Sequence, residues 1–504
     1  MRLDYLLDGI DTLDWHGRTD IEIKGITNDS RAVKQGYMFV AYKGWNQDGH
    51  SYLQDALNNG AGVLIVEEID EIYRDAAIVR VADARSTLSE VAARFYDYPF
   101  RDMKLIGITG TNGKTTTTYI LESIMKEAGI HAGVIGTVNY RFNNKSFDAS
   151  LTTPEPYDLM RIMREMKDGG VTHVILEVSS HSLDQGRTKG LDWTRVLFTN
   201  FSRDHLDYHV TMENYFKAKS QLFSSLIRYR QGEETKAVIN MDDPKGRVLE
   251  TMTNVPVISY GVDCDCMLRG VDIESSIEGL RLKLVTPEGN VSLTSKLLGE
   301  INIYNILAAA SAAYSIGVNL EDISEGVKKL SFVPGRLEYV KNEKGIFVFV
   351  DYAHTPDALE KALQTLRPLS KGRLIVVFGC GGDRDKGKRP YMGRAAGKNS
   401  DIVIITSDNP RREDPGVIIN EIVPGVKEAG LRRIDLRKPQ AGKGYDILWD
   451  RRKAIYSAIN FAGKGDIVLI AGKGHENYQV IGSRREKFND VHEVALAAAL
   501  HGEA

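Results

Sequence analysis

A chain of 504 residues, 42% hydrophobic and 26% charged with a formal net charge of -3, is long enough for about three domains. That balance excludes a strongly basic nucleic-acid surface, and no apolar run approaches the roughly 20 residues that span a bilayer. The opening MRLDYLLDGIDTLDW carries acids in its first turn and lacks a long apolar stretch, so no signal peptide is expected and a soluble cytoplasmic protein is. Cys264, Cys266 and Cys380 are odd in number and lack CxxC spacing, which points to a reducing compartment and away from a disulfide or zinc framework.

Residues 1–98 alternate short strand-like runs (37–41, 63–66) with helical stretches (52–59, 86–96), a small α/β domain closed by the breaker Tyr98-Pro99. A second domain, 99–333, opens with the apolar run Met103 to Ile106. Strands expected at 134–135, 173–178, 195–201 and 237–241 then alternate with helices, the pattern of a parallel sheet. Residues 267–294 read as a small antiparallel insertion turning at Gly289-Asn290, and 301–316 as a helix. After Val333-Pro334-Gly335 a third domain, 334–504, repeats one scheme: an apolar strand followed by a loop rich in charge and glycine. The runs 347–350, 374–378, 402–405 and 467–470 lead into DYAHTPD, GCGGDRDKGKRP, TSDNPRRED and AGKGHENYQ. Ligands of open parallel sheets bind beyond the carboxyl ends of the strands, so these loops form one composite edge. The expected class is α/β in three domains: a central phosphate-loop sheet of the ATPase type with an antiparallel insertion, and a Rossmann-like open sheet at the C-terminus.

GITGTNGKTT, 107–116, has the strand, glycine loop, helix context of a phosphate-binding loop, although Ile108 stands where GxxxxGK[S/T] has its first glycine. Gly110 and Gly113 let backbone N–H groups close on phosphate oxygens, Lys114 reaches the terminal phosphates, and Thr115 can ligate magnesium. Glu177 ends the run HVILE, where such enzymes hold a metal-ligating acid, and is the candidate ligand. His205 and His209 of TNFSRDHLDYH are four apart, but no third zinc ligand lies at metal spacing; one imidazole, His205, beside magnesium is preferred over a purely structural histidine. Lys219 lies among Tyr215, Phe216, Leu222, Phe223 and Leu226 at helical spacing. On the residues alone, snorkelling to solvent is the simpler account; the other is a neutral amine that takes up carbon dioxide as a metal-binding carbamate.

GTNGKTT, EVSSH, TNFSRDHLDYH, GEINIYN, VPGRLE, DYAHTPD, GCGGDRDKGKRP, DNPRRED and GKGHE follow one another over nearly the whole chain, and this ordered set resembles the Mur ligase family in its E-type branch. The resemblance implies a domain for the UDP end of the substrate, a central ATPase domain and a C-terminal domain for the incoming amino acid. ATP would lie on Gly110, Thr111, Asn112, Gly113, Lys114, Thr115 and Thr116, with Asn302, Asn305, Arg336 and Asp351 as further nucleotide contacts. Magnesium would sit among Thr115, Glu177, His205 and Lys219, the last as the carbamate (N6-carboxylysine); this reverses the snorkelling reading. Ser30 and His50 would hold the uridine diphosphate, and Thr152, Thr153, Pro154, Ser179, Arg187 and the Asn200 region the muramoyl dipeptide.

E-type enzymes differ in the diamino acid they add, and DNPR at 408–411 resembles the meso-diaminopimelate form. There Arg411 would meet the distal carboxylate, and Arg389, Asp408, Asn409, Pro410, Gly472 and Glu476 would complete the site. A guanidinium pairs bidentately with that carboxylate and would lose its partner if lysine were bound. The implied reaction is ATP-dependent amide formation on the D-glutamate γ-carboxylate of UDP-N-acetylmuramoyl-L-alanyl-D-glutamate, by a protein expected to be a monomer. The rivals are the same reaction with L-lysine, a folylpolyglutamate synthetase-like ligase, a nucleotide switch and a dinucleotide oxidoreductase. Asn144-Lys145-Ser146-Phe147 lacks the guanine-reading acid of a switch, and Arg384 replaces the third glycine of a dinucleotide fingerprint.

Overall fold

A computed structural model describes residues 1–44, 47–69, 76–230, 232–438 and 442–499. Two compact units emerge from their contacts: residues 1–270, 284–291 and 304–326 form the first, and residues 271–283, 292–303 and the chain from 327 onward the second.

In the first unit, β1 (Thr12–His16), β2 (Gly25–Thr27), β3 (Tyr37–Val40), β4 (Ala61–Val66) and β5 (Ala77–Val81) form a sheet in the order β1-β5-β4-β3-β2. All neighbours are parallel except β1, which closes one edge antiparallel to β5. Both faces are covered, which is why β3 and β4 are continuously apolar. Met38, Val40, Val63 and Ile65 pack with Leu88 and Val91 of the helix Ala84–Phe95, while Phe39, Leu64 and Val66 pack with Ala56 of the helix Leu53–Asn58.

The same unit holds β6 (Lys104–Thr109), β7 (Ala132–Ile135), β8 (Asn139–Phe142), β9 (Lys145–Asp148), β10 (His173–Glu177), β11 (Trp193–Phe198), β14 (Lys236–Asn240) and β15 (Val257–Gly261), with a two-residue ribbon of β12 (Tyr229–Arg230) and β13 (Glu233–Glu234). From β15 onward the larger, 11-stranded sheet runs β15-β14-β11-β6-β10-β7-β8-β9, parallel up to β7 and antiparallel through β8 and β9, and the insertion continues it beyond β15. β6 is central, flanked by β10 and β11. Its Gly107 is required by packing, since a Cβ there would press on the Trp193 ring at 2.7 Å.

The insertion has three strands, β16 (Leu268–Ser276), β17 (Gly279–Thr286) and β18 (Gly289–Ser295), whose residues are divided between the two units. Its second turn is Pro287-Glu288, and Gly289-Asn290, expected to turn, instead begin β18. Proline at 287 has the ring-fixed φ that a turn position favours, so the turn falls two residues early. The loop between β15 and β16 brings Cys264 and Cys266 to a Cα separation of 5.3 Å. Cys380 is a buried free thiol, pushed up to about 12 by burial.

The second unit contains β19 (Glu338–Val340), β20 (Phe347–Asp351), β21 (Leu374–Phe378), β22 (Ile402–Ile405), β23 (Gly444–Ile447) and β24 (Ile467–Ala471) in the order β19-β20-β24-β21-β22-β23. Only β19 is antiparallel. Alternate residues serve opposite faces: Val376, Phe378, Val403, Ile405 and Leu469 join one cluster, and Ile375, Val377, Ile402, Ile404 and Ile470 the other. On the second face, Arg451 and Asp490 form an ion pair with neither side chain exposed, bonded at 2.8 Å through Nε and 2.6 Å through Nη2. Arg451 Nη2 also donates to the carbonyl of Ala471 at the end of β24, 2.9 Å away. A hairpin, β25 (Tyr478–Ile481) and β26 (Arg484–Lys487), follows β24; Gly482 at φ +61° fits its two-residue turn.

Candidate active site

β6 ends at Thr109 and the next helix, Lys114–Glu127, begins at Lys114, leaving a four-residue loop with Gly110 at φ +146° and Gly113 at φ +86°. A Cβ on Gly110 would overlap Thr199 Oγ1, and one on Gly113 would overlap Asn305 Oδ1. The loop is clamped to the end of β11: the Thr111 N–H donates to the Asn200 carbonyl at 2.8 Å, the Asn112 N–H to Asn200 Oδ1 at 3.0 Å, and Thr199 Oγ1 to the Asn112 carbonyl at 2.7 Å. Lys114 Nζ donates to the carbonyls of Gly110 and Thr111, both at 2.9 Å. A phosphate suits this helix start, where N–H groups and the positive end of the helix dipole converge.

Thr115 and Thr116 are buried in the first helical turn, and Thr115 Oγ1 donates to Glu177 Oε2 at 3.0 Å. Parallel pairing explains the meeting, because β10 runs beside β6 and ends its carboxylate at the loop. Thr137 also anchors Glu177, its N–H on Oε1 at 3.0 Å and its hydroxyl on Oε2 at 2.9 Å. The Thr137 hydroxyl lies 3.1 Å from that of Thr152. Thr153 donates to the Glu177 carbonyl at 2.7 Å and accepts the Ser179 N–H at 3.1 Å, while Arg187 Nη1 bonds the Thr153 carbonyl at 3.0 Å and its Nε pairs with Glu155 at 3.1 Å. Pro154 is buried beside them. The residues expected around the dipeptide, Thr152 to Pro154, Ser179 and Arg187, are therefore one bonded group continuous with Glu177.

Lys219 is 1% exposed, on the helix Met212–Ser224. It does not snorkel. Nζ donates to the Gly110 carbonyl at 2.7 Å and lies 4.7 Å from the centre of the Tyr215 ring. Burial, and then Lys114, hold its ammonium well below the usual lysine range, with Asp204 opposing. A neutral amine is the form that reacts with carbon dioxide. His205 sits in left-handed backbone, φ +52°, just before the short helix Leu206–His209; its imidazole is depressed by burial and by Lys114 and Lys219. His209 is buried against Ser180 Oγ at 2.9 Å. Between them lies His181, 4.9 Å from His205 and 5.5 Å from His209 ring to ring, pushed down to about 4 by burial and then by those two neighbours. The hydroxyl and carboxylate oxygens of Thr115 and Glu177 are hard donors that fit magnesium, whereas the His205 imidazole is a softer, borderline donor.

Asn305, 2% exposed, lies beside Gly113 in the first unit. In the second, Asn302 Nδ2 bonds the Leu298 carbonyl at 2.7 Å. Arg336 lies over the Tyr352 ring at 5.3 Å, and Asp351 accepts the N–H groups of Leu337 and Ala353, its carboxyl raised by burial. In the first sheet, buried Ser30 accepts Asn59 on its carbonyl at 2.9 Å, and His50 is fixed by Asp48 at 2.6 Å and the Glu67 N–H at 3.1 Å.

The loops after β21, β22 and β24 meet at the carboxyl edge of the second unit's sheet. Asn409 Nδ2 bonds Glu476 at 2.9 Å, and Lys473, with no exposed side-chain surface, donates to Asn409 Oδ1 at 3.1 Å and Glu476 at 2.7 Å. Arg411 stands at φ +52°, unusual for a residue with a Cβ, and its Nη1 bonds the Gly382 carbonyl at 2.6 Å. Asp408 lies so near Gly472 (φ +112°) that a Cβ there would come within 2.7 Å of its carboxylate. Arg389, fully buried, is engaged by Glu413 at 2.9 Å and Glu421 at 2.6 Å, and it pulls the Glu413 carboxyl down to about 2. Its Nε has no hydrogen-bond partner among the described residues. Thr137, His181 and Lys473 were not expected. Lys473 and His181 could have been found inside GKGHE and EVSSH, whereas Thr137 gains meaning only from strands that pair in space.

Residues 22–96 match the Mur ligase family, catalytic domain; 108–313 match the Mur ligase middle domain; and 335–474 match the Mur ligase, glutamate ligase domain. The chain belongs to the Mur ligase family. It is 46% identical over 504 residues to a UDP-N-acetylmuramoyl-L-alanyl-D-glutamate--2,6-diaminopimelate ligase of Geobacter metallireducens, covering 99% of this chain and 98% of the relative. A protein of the same name from Clostridium perfringens is 40% identical, covering 97% and 98%. A solved structure of a ligase of that name aligns with a TM-score of 0.69 at 32% identity over all of both chains. Folylpolyglutamate synthase of Mycobacterium tuberculosis, solved with ADP, shares the fold at a TM-score of 0.62 and 18% identity, covering 84% and 95%.

Proposed function

We propose that this protein is an ATP-dependent amide ligase adding meso-2,6-diaminopimelate to the D-glutamate γ-carboxylate of UDP-N-acetylmuramoyl-L-alanyl-D-glutamate, in cytoplasmic peptidoglycan precursor synthesis. The observation that carries it is full-length likeness to relatives bearing that ligase name, in a chain whose phosphate loop and DNPR edge are both intact. The carboxylate attacks the γ-phosphate of ATP, giving an acyl phosphate and ADP. The neutral amine of diaminopimelate then forms the amide bond, phosphate leaves and the amine proton goes to solvent. Activation is needed because a carboxylate alone has no good leaving group.

Gly110 to Thr116 hold the phosphates, and Lys114 places its charge on the transferring group, so this chain contributes chiefly positioning and electrostatics. Asn302, Asn305, Arg336 and Asp351 are the remaining nucleotide contacts. Thr115, Glu177, His205 and Lys219 as its carbamate would hold magnesium, which supplies charge neutralisation on the phosphates. Ser30 and His50 take the uridine diphosphate, and Thr152, Thr153, Pro154, Ser179 and Arg187 the muramoyl dipeptide. Arg411 takes the distal carboxylate of diaminopimelate, with Arg389, Asp408, Asn409, Pro410, Gly472 and Glu476 around the amino-acid end. Residues 1–98, 99–333 and 334–504 are the corresponding domains of a monomer. ADP release with the UDP-linked dipeptide and either diaminopimelate or L-lysine tests the reading. Turnover with diaminopimelate alone is expected; turnover with lysine alone transfers the assignment to the lysine-adding form, and turnover with neither overturns it.

A further inference from the structure

The β25–β26 hairpin touches the DNPR loop through four hydrogen bonds; the sequence placed Tyr478 and Gln479 at the end of the loop AGKGHENYQ and assigned neither a role of its own. Two of these bonds bracket Arg411: its N–H donates to the Val480 carbonyl at 3.0 Å, and its carbonyl accepts the Gly482 N–H at 2.6 Å. The other two fix the residues before it. Gln479 Nε2 donates to the Asp408 carbonyl at 2.6 Å, and the Val480 N–H donates to Asn409 Oδ1 at 2.9 Å. Gln479 is only 9% exposed, so its amide sits where a lost partner is not simply replaced by water.

This bracing answers a physical problem. An arginine at φ +52° is in left-handed backbone, which a residue with a Cβ leaves unless its surroundings impose it. The guanidinium direction follows from that backbone, and Arg411 Nη1 is aimed back at the Gly382 carbonyl. Gly382 must be glycine, because a Cβ there would overlap the Pro410 carbonyl. The hairpin imposes the strained conformation from one side and the Gly381-Gly382 turn receives the guanidinium on the other.

We infer that the β25–β26 hairpin sets the choice of diamino acid, and that Gln479 is a positioning residue for selectivity, acting through Arg411. The inference rests on the proposed diaminopimelate reading of DNPR. A misaimed fork meets the distal carboxylate with one hydrogen bond or none, so discrimination is lost before catalysis is.

Gln479→Leu keeps the volume and removes the donor; Gln479→Glu replaces it with an acceptor facing the Asp408 carbonyl. The experiment measures kcat and KM for each of the three substrates in these variants, in Arg411→Ala, in Gln479→Leu/Arg411→Ala and in an Arg484→Ala control at an exposed hairpin position. The expected result is a rise in KM for diaminopimelate of about tenfold in both Gln479 variants, roughly what the loss of one buried hydrogen bond produces. KM for ATP and for the UDP-linked dipeptide stays within about twofold, the diaminopimelate-to-lysine preference falls, and the control is silent. In the Arg411→Ala background the Gln479 change adds nothing, since its effect passes through Arg411. Wild-type protein that does not use diaminopimelate overturns the proposed function itself. Wild-type protein that uses it, with Gln479→Leu retaining the parent KM and preference, or with the two substitutions simply additive, overturns the hairpin inference alone.

Discussion

The phosphate-loop region and the DNPR edge solve opposite problems. Around Gly110 the observed bonds of two lysines, Lys114 and Lys219, run to backbone carbonyls, and burial together with mutual repulsion pushes the Lys219 ammonium down. At the DNPR edge the cations meet carboxylates: Lys473 with Glu476, Arg389 with Glu413 and Glu421. A site that must receive a polyanion keeps positive charge at neutral dipoles, where phosphate oxygens displace weak partners. On the proposed reading, the DNPR edge holds its other charges in fixed pairs and leaves the Arg411 guanidinium to meet the distal carboxylate of the amino acid.

That contrast can be broken experimentally, beginning with the phosphate loop. Lys114→Ala should lower kcat by about 10²- to 10³-fold, the scale for removing one preorganised donor to a developing charge, with less change in KM for the amino acid; ADP release checks this. Removing one partner of a buried ion pair leaves a charge uncompensated, so Asp490→Ala should destabilise the second unit by about 3–5 kcal/mol, read as loss of the denaturant midpoint of the full chain. Arg411→Ala should cut the preference for diaminopimelate over lysine by about 100-fold while leaving KM for ATP near the parent value, because only one substrate's carboxylate loses its partner. An unchanged preference would move the reading of that carboxylate elsewhere.

Lys219→Met sharpens the contrast from the other side. It should abolish most turnover yet raise stability near neutral pH by on the order of 1 kcal/mol, the usual scale for relieving a functional strain. As the free amine, before it takes up carbon dioxide, Lys219 has a depressed folded-state pKa, so the unfolded chain binds more protons and stability rises with pH up to the unfolded value; against this form of the protein the variant's advantage shrinks as the medium becomes alkaline. Thermal midpoints of both proteins across that range decide it, and a less stable variant would show that the lysine is compensated. The smallest effect concerns His475, packed 5.0 Å from the Tyr352 ring and pushed down to about 4 by burial and then Arg336. The unfolded chain takes up the proton near 6.5 and the folded one only near 4, so stability is lost as pH falls through that window. His475→Gln should flatten part of this slope, measured as the urea midpoint at pH 7 and pH 5.

Much was legible without coordinates, for reasons that differ by element. The phosphate loop reads directly because all its parts lie within one strand, turn and helix, and Gly110 and Gly113 occupy the positions where packing forbids a Cβ. The sheet edge of the second unit was equally plain, since four apolar runs each end in a polar loop. The turn of the insertion was misplaced because glycine-asparagine and proline-glutamate compete at adjacent positions and local propensity separates them weakly.

The sequence by itself determined the α/β class, the phosphate loop and the order of motifs, since these depend on neighbours along the chain and on hydrophobic period. Tertiary structure alone decided that Lys219 is buried at the Gly110 carbonyl, that Thr137 anchors Glu177, and that a hairpin past residue 477 holds Arg411 in left-handed backbone. Each of these joins segments that are distant in the chain, and a contact whose partners are chosen by sheet pairing leaves no local periodicity or spacing to read.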